Sequence, residues 1–317
     1  MAIQTLETSR AGLTPTQQRA LAELLGAGQA RPTFDPDLGP ALRTELEQGL
    51  APVLVRCASD RPLSVSKAAL GQLHRCEGLW LAEQAQGFSW SARTARGTVA
   101  HKAVELAVLL SEHPAPLDLV DLAIERLIDG GGDWGPGEWL LDAPAAEVAE
   151  LRGAAADWVT KFQDTFPPLQ RVWRPRLESS LAVDLCGGAV VLRGKVDLAL
   201  GKADGSVARV LIIDFKTGPL VRQHVDDLRF YALLETLRVG VPPFRLATFC
   251  LDSGTWYAED VDEDLLAVAV RRTVAGTAKL VELRHAEAPR AALLTPGTAC
   301  RWCPAADNCP NAMADPD

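Results

Sequence analysis

Between Arg171 and Gly218 the chain spells out three apolar runs joined by very short turns. RVWRPRLESSLAVDL leads into Cys186-Gly187-Gly188, then AVVLRGKVDLALG leads into Asp204-Gly205, then VARVLIIDFKTG follows. Gly-Gly and Asp-Gly supply the positive φ that tight hairpin turns demand, so the three runs are expected to be neighbouring antiparallel strands. A helix over 222–239, stopped by Gly240 and Pro242, comes next. A strand pair over 244–261 turns at Asp252-Ser253-Gly254, and a long helix covers 263–286.

The region before 171 reads as helical. Thr14-Pro15-Thr16-Gln17 has the form of a capping box with proline at the first helical position, followed by Leu21, Leu24 and Leu25. Further helices are expected over 39–50, over 65–85 (Leu70, Leu73, Cys76 and Trp80 at helical spacing), and from Gly97-Thr98 through VAHKAVELAVLL. GGGDWGPGEW at 130–139 is expected to be a loop. After it an amphipathic helix should carry Leu151, Ala155, Trp158 and Phe162 on one face. Helices around a hairpin-linked sheet make an α/β protein, in one or two domains for 317 residues. The first sixty residues form a helical extension, 61–317 the main domain, and the tail from 296 is rich in cysteine and proline.

Composition narrows the setting. No apolar run reaches the roughly eighteen residues of a membrane helix, and MAIQTLETSRAGLTPTQQ lacks the basic start and apolar run of a signal peptide. A cytosolic protein is expected, so its seven cysteines invite a search for metal-ligand spacing rather than disulfides. A net charge of −9 argues against a simple non-specific DNA binder, leaving a local basic groove or a metal site as the route to nucleic acid.

The segment LIIDFKTG at 211–218 holds the first chemical clue. Along a strand, Val210, Ile212, Asp214 and Lys216 share one face while Leu211, Ile213 and Phe215 share the other. On the preceding strand Lys195 and Asp197 share a face, with Val196 and Leu198 opposite. Pairing of the two strands lets Asp197 and Asp214 converge. Two close carboxylates in a half-buried place repel unless a cation holds them. Mg²⁺ takes such oxygen ligands, and a lysine beside it can orient water or stabilise charge on phosphate. Taken alone, D-x-K is equally the pattern of a solvated ion pair at a strand end.

The second clue is Cys300-x2-Cys303-x5-Cys309. Three close thiols want a fourth ligand for an all-cysteine iron–sulfur or zinc site. Cys57, Cys76, Cys186 and Cys250 are the candidates, Cys250 lying in an apolar strand as a small buried hydrophobe would.

Together these segments resemble the RecB-like branch of the PD-(D/E)xK nuclease superfamily that carries a 4Fe–4S cluster, as in the AddB-type nuclease domain and the CRISPR-associated exonuclease family. The resemblance runs from about Ser64 to Cys309. SVSKAALGQLHRCEGLWL is similar to the helix that supplies the lone upstream cluster cysteine, Cys76, to join Cys300, Cys303 and Cys309. RGTVAHKAVE is similar to the helix with the ligand histidine, His101. LESSLAV places Glu178 at the first-strand acidic position, GKVDLAL gives Asp197, and DFKTG gives Asp214 and Lys216. DDLRFYALL resembles the next helix, with Tyr231 in place but Asp227 where the family has glutamine.

The resemblance implies a restriction-endonuclease-like core, with a mixed central sheet flanked by helices, and a Mg²⁺- or Mn²⁺-dependent DNA nuclease, an exonuclease acting in DNA repair, recombination or defence. His101, Asp197, Asp214 and the Phe215 carbonyl would bind the metal, Lys216 would help activate water, and Glu105 and Glu178 would be solvated or structural. The cluster would staple the upstream helix to the tail, stability outweighing any redox role. Arg193, Lys195, Lys202, Arg222 and Arg229 could line a DNA groove, or a helicase partner could grip the DNA. Two alternatives remain: a catalytically silent iron–sulfur scaffold, and a zinc-stabilised protein of unrelated role.

Overall fold

The computed structural model describes residues 12–110, 114–130 and 135–312; part of the loop expected at 130–139 lies outside them. Ten helices and six strands follow one another among the described residues. They are α1 (Pro15–Glu23), α2 (Leu38–Leu54), β1 (Leu63–Ser66), α3 (Lys67–Arg75), α4 (Glu77–Gln86), α5 (Ala92–Leu109), α6 (Pro116–Gly130), α7 (Gly137–Asp142) and α8 (Ala145–Thr165). The sheet-forming half continues with β2 (Arg176–Leu185), β3 (Val190–Leu200), β4 (Leu211–Lys216), α9 (Arg222–Val239), β5 (Arg245–Cys250), β6 (Thr255–Asp260) and α10 (Glu263–Leu280).

The expected turn chemistry is in place. Thr14 accepts from the Gln17 N–H at 3.1 Å while the Gln17 side chain accepts from the Thr14 N–H at 2.9 Å, closing the capping box. Gly187 and Gly188 hold φ of 65° and 91° between β2 and β3, the left-handed region that favours glycine. The helix expected over 65–85 is instead a short strand and two helices, because Cys76 adopts an extended φ of −162° and ψ of 120° between them.

The sheet is mixed, in the order β1-β3-β4-β5-β6 with β2 on the far edge of β3. Two apolar layers cover its faces, as an α/β architecture requires. One packs α2, α3, α9 and α10 on Val65, Leu192, Ile212 and Leu246. The other packs α1, α5, α6 and α8 on Leu198, Ile213, Phe215 and Phe249. Ile212 in one layer, with Leu211, Ile213 and Phe215 in the other, is the period-two alternation expected of β4. Residues of the first sixty enter both layers: Leu42, Leu46 and Leu50 from α2 in one, Ala20, Leu21 and Leu24 from α1 in the other.

One edge of β3 is shared by two strands. β1 pairs with it in parallel from Leu63↔Val190 to Ser66↔Arg193, and β4 pairs antiparallel from Leu200↔Leu211 to Leu198↔Ile213. The two therefore run towards each other and leave residues 194–197 of β3 without a partner strand on that edge. This break in the ladder, about 13 Å long at ~3.3 Å per residue, is where the carboxyl ends of β1 and β4 meet. Carboxyl ends of strands are where open α/β sheets place their ligands.

Candidate active site

The alternation expected of β3 fails at one position. Val196 packs in the first layer and Leu198 in the second, not on one face. The cause lies on β2, where Glu178 adopts a left-handed φ of 47°. The β2–β3 register steps from Leu177↔Leu198 to Ser179↔Val196, passing over Glu178 and Asp197. A non-glycine residue rarely takes this conformation unless its surroundings hold it there. Its effect is to release two carboxylates from the pleat at one point.

His101 from α5 completes a cluster there. One ligand atom each from His101, Glu178 and Asp197 lies within 4.8 Å of the others. His101 Nδ1 is 3.7 Å from Asp197 Oδ2, and that oxygen also accepts the Phe215 N–H at 2.7 Å. Asp197 thus takes the place of a ladder partner just beyond the last β3–β4 pair. In a strand, a residue's N–H and C=O point to the same edge. The Lys216 carbonyl accepts from Leu251 beyond β5, so the polar groups of Phe215 are turned the other way, towards the gap and the cluster. The Phe215 ring is buried among Phe162 and Phe249, with centroids 5.5 and 6.1 Å away, which fixes that orientation. Glu178 is also paired with Lys195.

Asp214 sits beside this cluster but in different company. It is 1 % exposed, with Lys67 Nζ donating to Oδ1 at 2.8 Å and Lys216 Nζ at 2.5 Å from Oδ2. Oδ2 nevertheless lacks an aligned hydrogen bond, a buried acceptor atom that a cation could satisfy. Burial pushes the Asp214 carboxyl up, but Lys216 and Lys67 outweigh it and hold it below the usual carboxylate range. Burial likewise opposes the charge of Lys67, and Asp214 and Tyr231 overcome that, raising its pKa.

Lys67, the first residue of α3, was not a candidate in the sequence. It is placed by β1 ending at the gap, and a four-residue strand leaves no periodic signal.

Tyr231 on α9 is 1 % exposed. Its hydroxyl donates to the Lys195 carbonyl at 2.5 Å, and its ring faces Lys67 Nζ at 4.7 Å. This gives the Gly-x-x-Asp pattern a physical basis, since a Cβ on Gly194 would come 2.5 Å from Tyr231 Cε1. Asp227, one turn before Tyr231, is buried without a hydrogen-bonded partner among the described residues, and burial raises its carboxyl to about 6 against the pull of Lys67 and Lys216. One turn earlier still, Gln223 Oε1 is buried and unpartnered.

Of the expected basic residues, Arg229 is clamped by Glu259 at 3.0 and 2.7 Å, and Arg193 and Arg222 are exposed. Lys202 follows the far end of β3 and does not join the site. Glu105 pairs with Lys102, outside the cluster.

The four expected cysteines come together elsewhere. Cys76, Cys300, Cys303 and Cys309 all line one cavity of about 220 Å³. The Thr295 N–H points at Cys76 Sγ at 3.5 Å, and the Gly297 N–H at Cys300 Sγ at 3.4 Å. Cys57 and Cys186 pack against the first layer and Cys250 is buried in β5.

Residues 62–310 match the sequence profile of the PD-(D/E)XK nuclease superfamily. The chain belongs to that superfamily. The mixed sheet flanked by helices is its restriction-endonuclease-like fold, and the superfamily's activity is phosphodiester hydrolysis with divalent metal ions. Among solved structures the chain is similar to SSO0001, with 15 % identity over 87 % of this chain and 98 % of that one, at a TM-score of 0.36. No curated protein sequence matches it. Among the described residues of this superfamily member, no helix is long and apolar enough to cross a membrane.

Proposed function

We propose that this PD-(D/E)XK protein is a Mg²⁺- or Mn²⁺-dependent deoxyribonuclease of the RecB-like, iron–sulfur branch, acting as an exonuclease on DNA in repair, recombination or defence. The single observation that carries the proposal is the cluster of His101, Glu178 and Asp197 at the break in the sheet, with the Phe215 carbonyl turned towards it. One imidazole with oxygen donors suits a hard divalent cation, and Asp214 Oδ2, ion-paired with Lys216 but without an aligned hydrogen bond, offers a further oxygen. His101, Glu178, Asp197 and Asp214 would therefore hold the ion, Glu178 gaining a role that the resemblance gave to structure.

A divalent cation held there supplies Lewis acidity towards phosphate and lowers the pKa of bound water. The rest falls to side chains of this chain. Lys216 and Lys67 keep Asp214 ionised in a buried place. Lys216, whose Nζ lies beside Asp214, would orient the attacking water or meet charge on the phosphate. Tyr231 holds Lys195 and Lys67 where they stand.

For the cysteines we propose a 4Fe–4S cluster. Four cysteines lining one cavity suit such a cluster, and hydrogen bonds from the Thr295 and Gly297 N–H groups to sulfur are of the kind that tune clusters.

The test is degradation of single- and double-stranded DNA with and without Mg²⁺ or Mn²⁺. Asp197→Asn, Asp214→Ala and Lys216→Ala are each expected to abolish it while leaving the fold, by circular dichroism, intact. Activity surviving all three substitutions would refute the assignment. DNA bound but never cut by the wild type would favour the silent scaffold, to which the unusual buried Asp227 is the one pointer.

A further inference from the structure

At the opposite end of β4 from the metal cluster lies a separate cavity of about 640 Å³. It is bounded by the residues after α1, by the turn at Val172–Arg174, by the end of β3 with its following loop, and by Phe244. Its charge is one-sided: Arg31, Arg174, Lys202 and Arg209 line it against Asp204 alone.

Two buried donors there have no partner. The indole Nε1 of Trp173 and the Nε of Arg209 are both shielded from solvent without a hydrogen bond. Buried donors left unmade are costly, and a bound acceptor would satisfy them. Arg209 has an ion pair with the exposed Asp204 at 3.1 Å through its other end. Arg31 stacks on Phe244 at 3.8 Å and donates only to the backbone carbonyls of Leu25 and Gly26. Burial, and then Arg245 and Arg209 against the help of Asp260, press the Arg31 pKa down, as cations crowded without an anion do. The side chains of Arg174 and Lys202 make no polar contact among the described residues.

The frame is built rather than accidental. Gly201 holds φ of 93°, its N–H donates to the Trp173 carbonyl at 2.7 Å, and a Cβ there would overlap the Arg209 carbonyl oxygen. Arg174 is itself left-handed, with φ of 50°.

We propose that this cavity binds a nucleotide phosphate, with the guanidinium of Arg209 and the cations of Arg174 and Lys202 on the phosphate and the aromatic and apolar wall of Trp173, Val172 and Leu200 against the base. The volume is that of ordinary small-ligand sites, and guanidinium groups bind phosphate with paired, charge-assisted bonds. The nucleotide is either free or the 5′-terminal residue of a strand; the chemistry is shared.

The test is isothermal titration of the full chain with deoxyadenosine 5′-monophosphate, deoxyadenosine, inorganic phosphate and a 5′-phosphorylated hexanucleotide. The mononucleotide should bind, with deoxyadenosine and inorganic phosphate each weaker by roughly ten-fold or more. The surface double variant Arg174→Gln/Lys202→Gln, which removes no core contact, should weaken it by a similar factor, whereas Asp197→Asn at the metal cluster should leave it unchanged. Tighter binding of the hexanucleotide assigns a strand end, tighter binding of the mononucleotide a free ligand. Absence of binding at millimolar mononucleotide, equal binding of inorganic phosphate, indifference to the double variant, or loss in Asp197→Asn would each overturn the proposal. Nuclease assays play no part in it, so its failure and that of the nuclease assignment are separable.

Discussion

Single residues decide most of what this site can do. Gly194 is one: with no side chain it lets the Tyr231 ring lie on β3, and Gly194→Ala is expected to cost about 1–3 kcal/mol by overpacking, read as a lower midpoint in urea and a fall in nuclease activity as Lys67 loses its platform. Asp227 is another. Its folded pKa of about 6 lies above its ordinary 3.8, so it binds a proton more tightly folded than unfolded. The stability it allows is complete below about pH 4 and is lost as pH rises through 6. Asp227→Asn removes that loss and should gain on the wild type by about 2–3 kcal/mol between pH 4 and 7.5, from ~1.36 kcal/mol per pKa unit. Parallel urea titrations at the two pH values check this, and a constant difference would show that Asp227 ionises as readily in the fold as in the unfolded chain. His224 runs in the opposite sense. Burial and then Lys216 lower it to about 4, so its share of stability is full above 6.5 and fades as pH falls. At this scale the sequence was legible where a residue's type announced its chemistry, as at Asp197, Asp214 and His101. It was silent on Lys67, whose position depends on a strand of four residues; Glu178 was expected at the first-strand acidic position, but its left-handed backbone is encoded by no side-chain pattern.

At the scale of elements, turns were easier to foresee than breaks. The Gly-Gly and Asp-Gly hairpins placed β2, β3 and β4, and α9 occupies the residues expected, because a glycine in left-handed geometry ends it at Gly240. The 65–85 segment carries helical spacing straight through Cys76, so nothing in its periodicity marks the break. α6 (Pro116–Gly130) was not foreseen at all, although Leu119, Val120 and Ala123 are buried on it. The break has its own logic. Glu77, 2 % exposed, receives Arg290 at 2.7 and 3.0 Å and the Leu293 N–H at 2.7 Å, drawing the tail against the start of α4. The Arg290 guanidinium, working against burial, holds the Glu77 carboxyl down at about 2. Glu77→Ala leaves Arg290 with Glu282 alone as its acidic partner, strands the Leu293 N–H, and should cost about 2–3 kcal/mol. Limited proteolysis should then cut between 287 and 296 far faster than in the wild type, and unchanged cleavage would mean that the tail is held by other contacts.

Across the whole molecule, the upstream helix pair and the tail are joined twice, by the Glu77 latch and by the cysteine frame. Closing so long a loop restrains the unfolded chain, and metal binding adds its free energy to folding. Purified protein should be brown with broad absorbance near ~400 nm, as iron–sulfur ligation gives. Cys303→Ala should be colourless and poorly soluble, whereas a soluble, fully active Cys303→Ala protein would leave the cluster without a structural role. The two layers and the mixed sheet could be inferred from hydrophobic patterning. The sharing of one β3 edge by β1 and β4 could not, since strand order depends on which distant segments meet.

That shared edge has a consequence for synthesis. The gap is walled by Lys67 on one side and by Asp214 and Lys216 on the other, with Tyr231 behind. These positions leave the ribosome far apart in order, Lys67 long before Tyr231, and the cysteines at 300–309 follow them. A nascent chain therefore cannot hold the assembled gap until α9 has emerged, nor a tail fastened to α4 until the cysteines at 300–309 have followed. The order of segments along the chain acts as a timer on its reactivity.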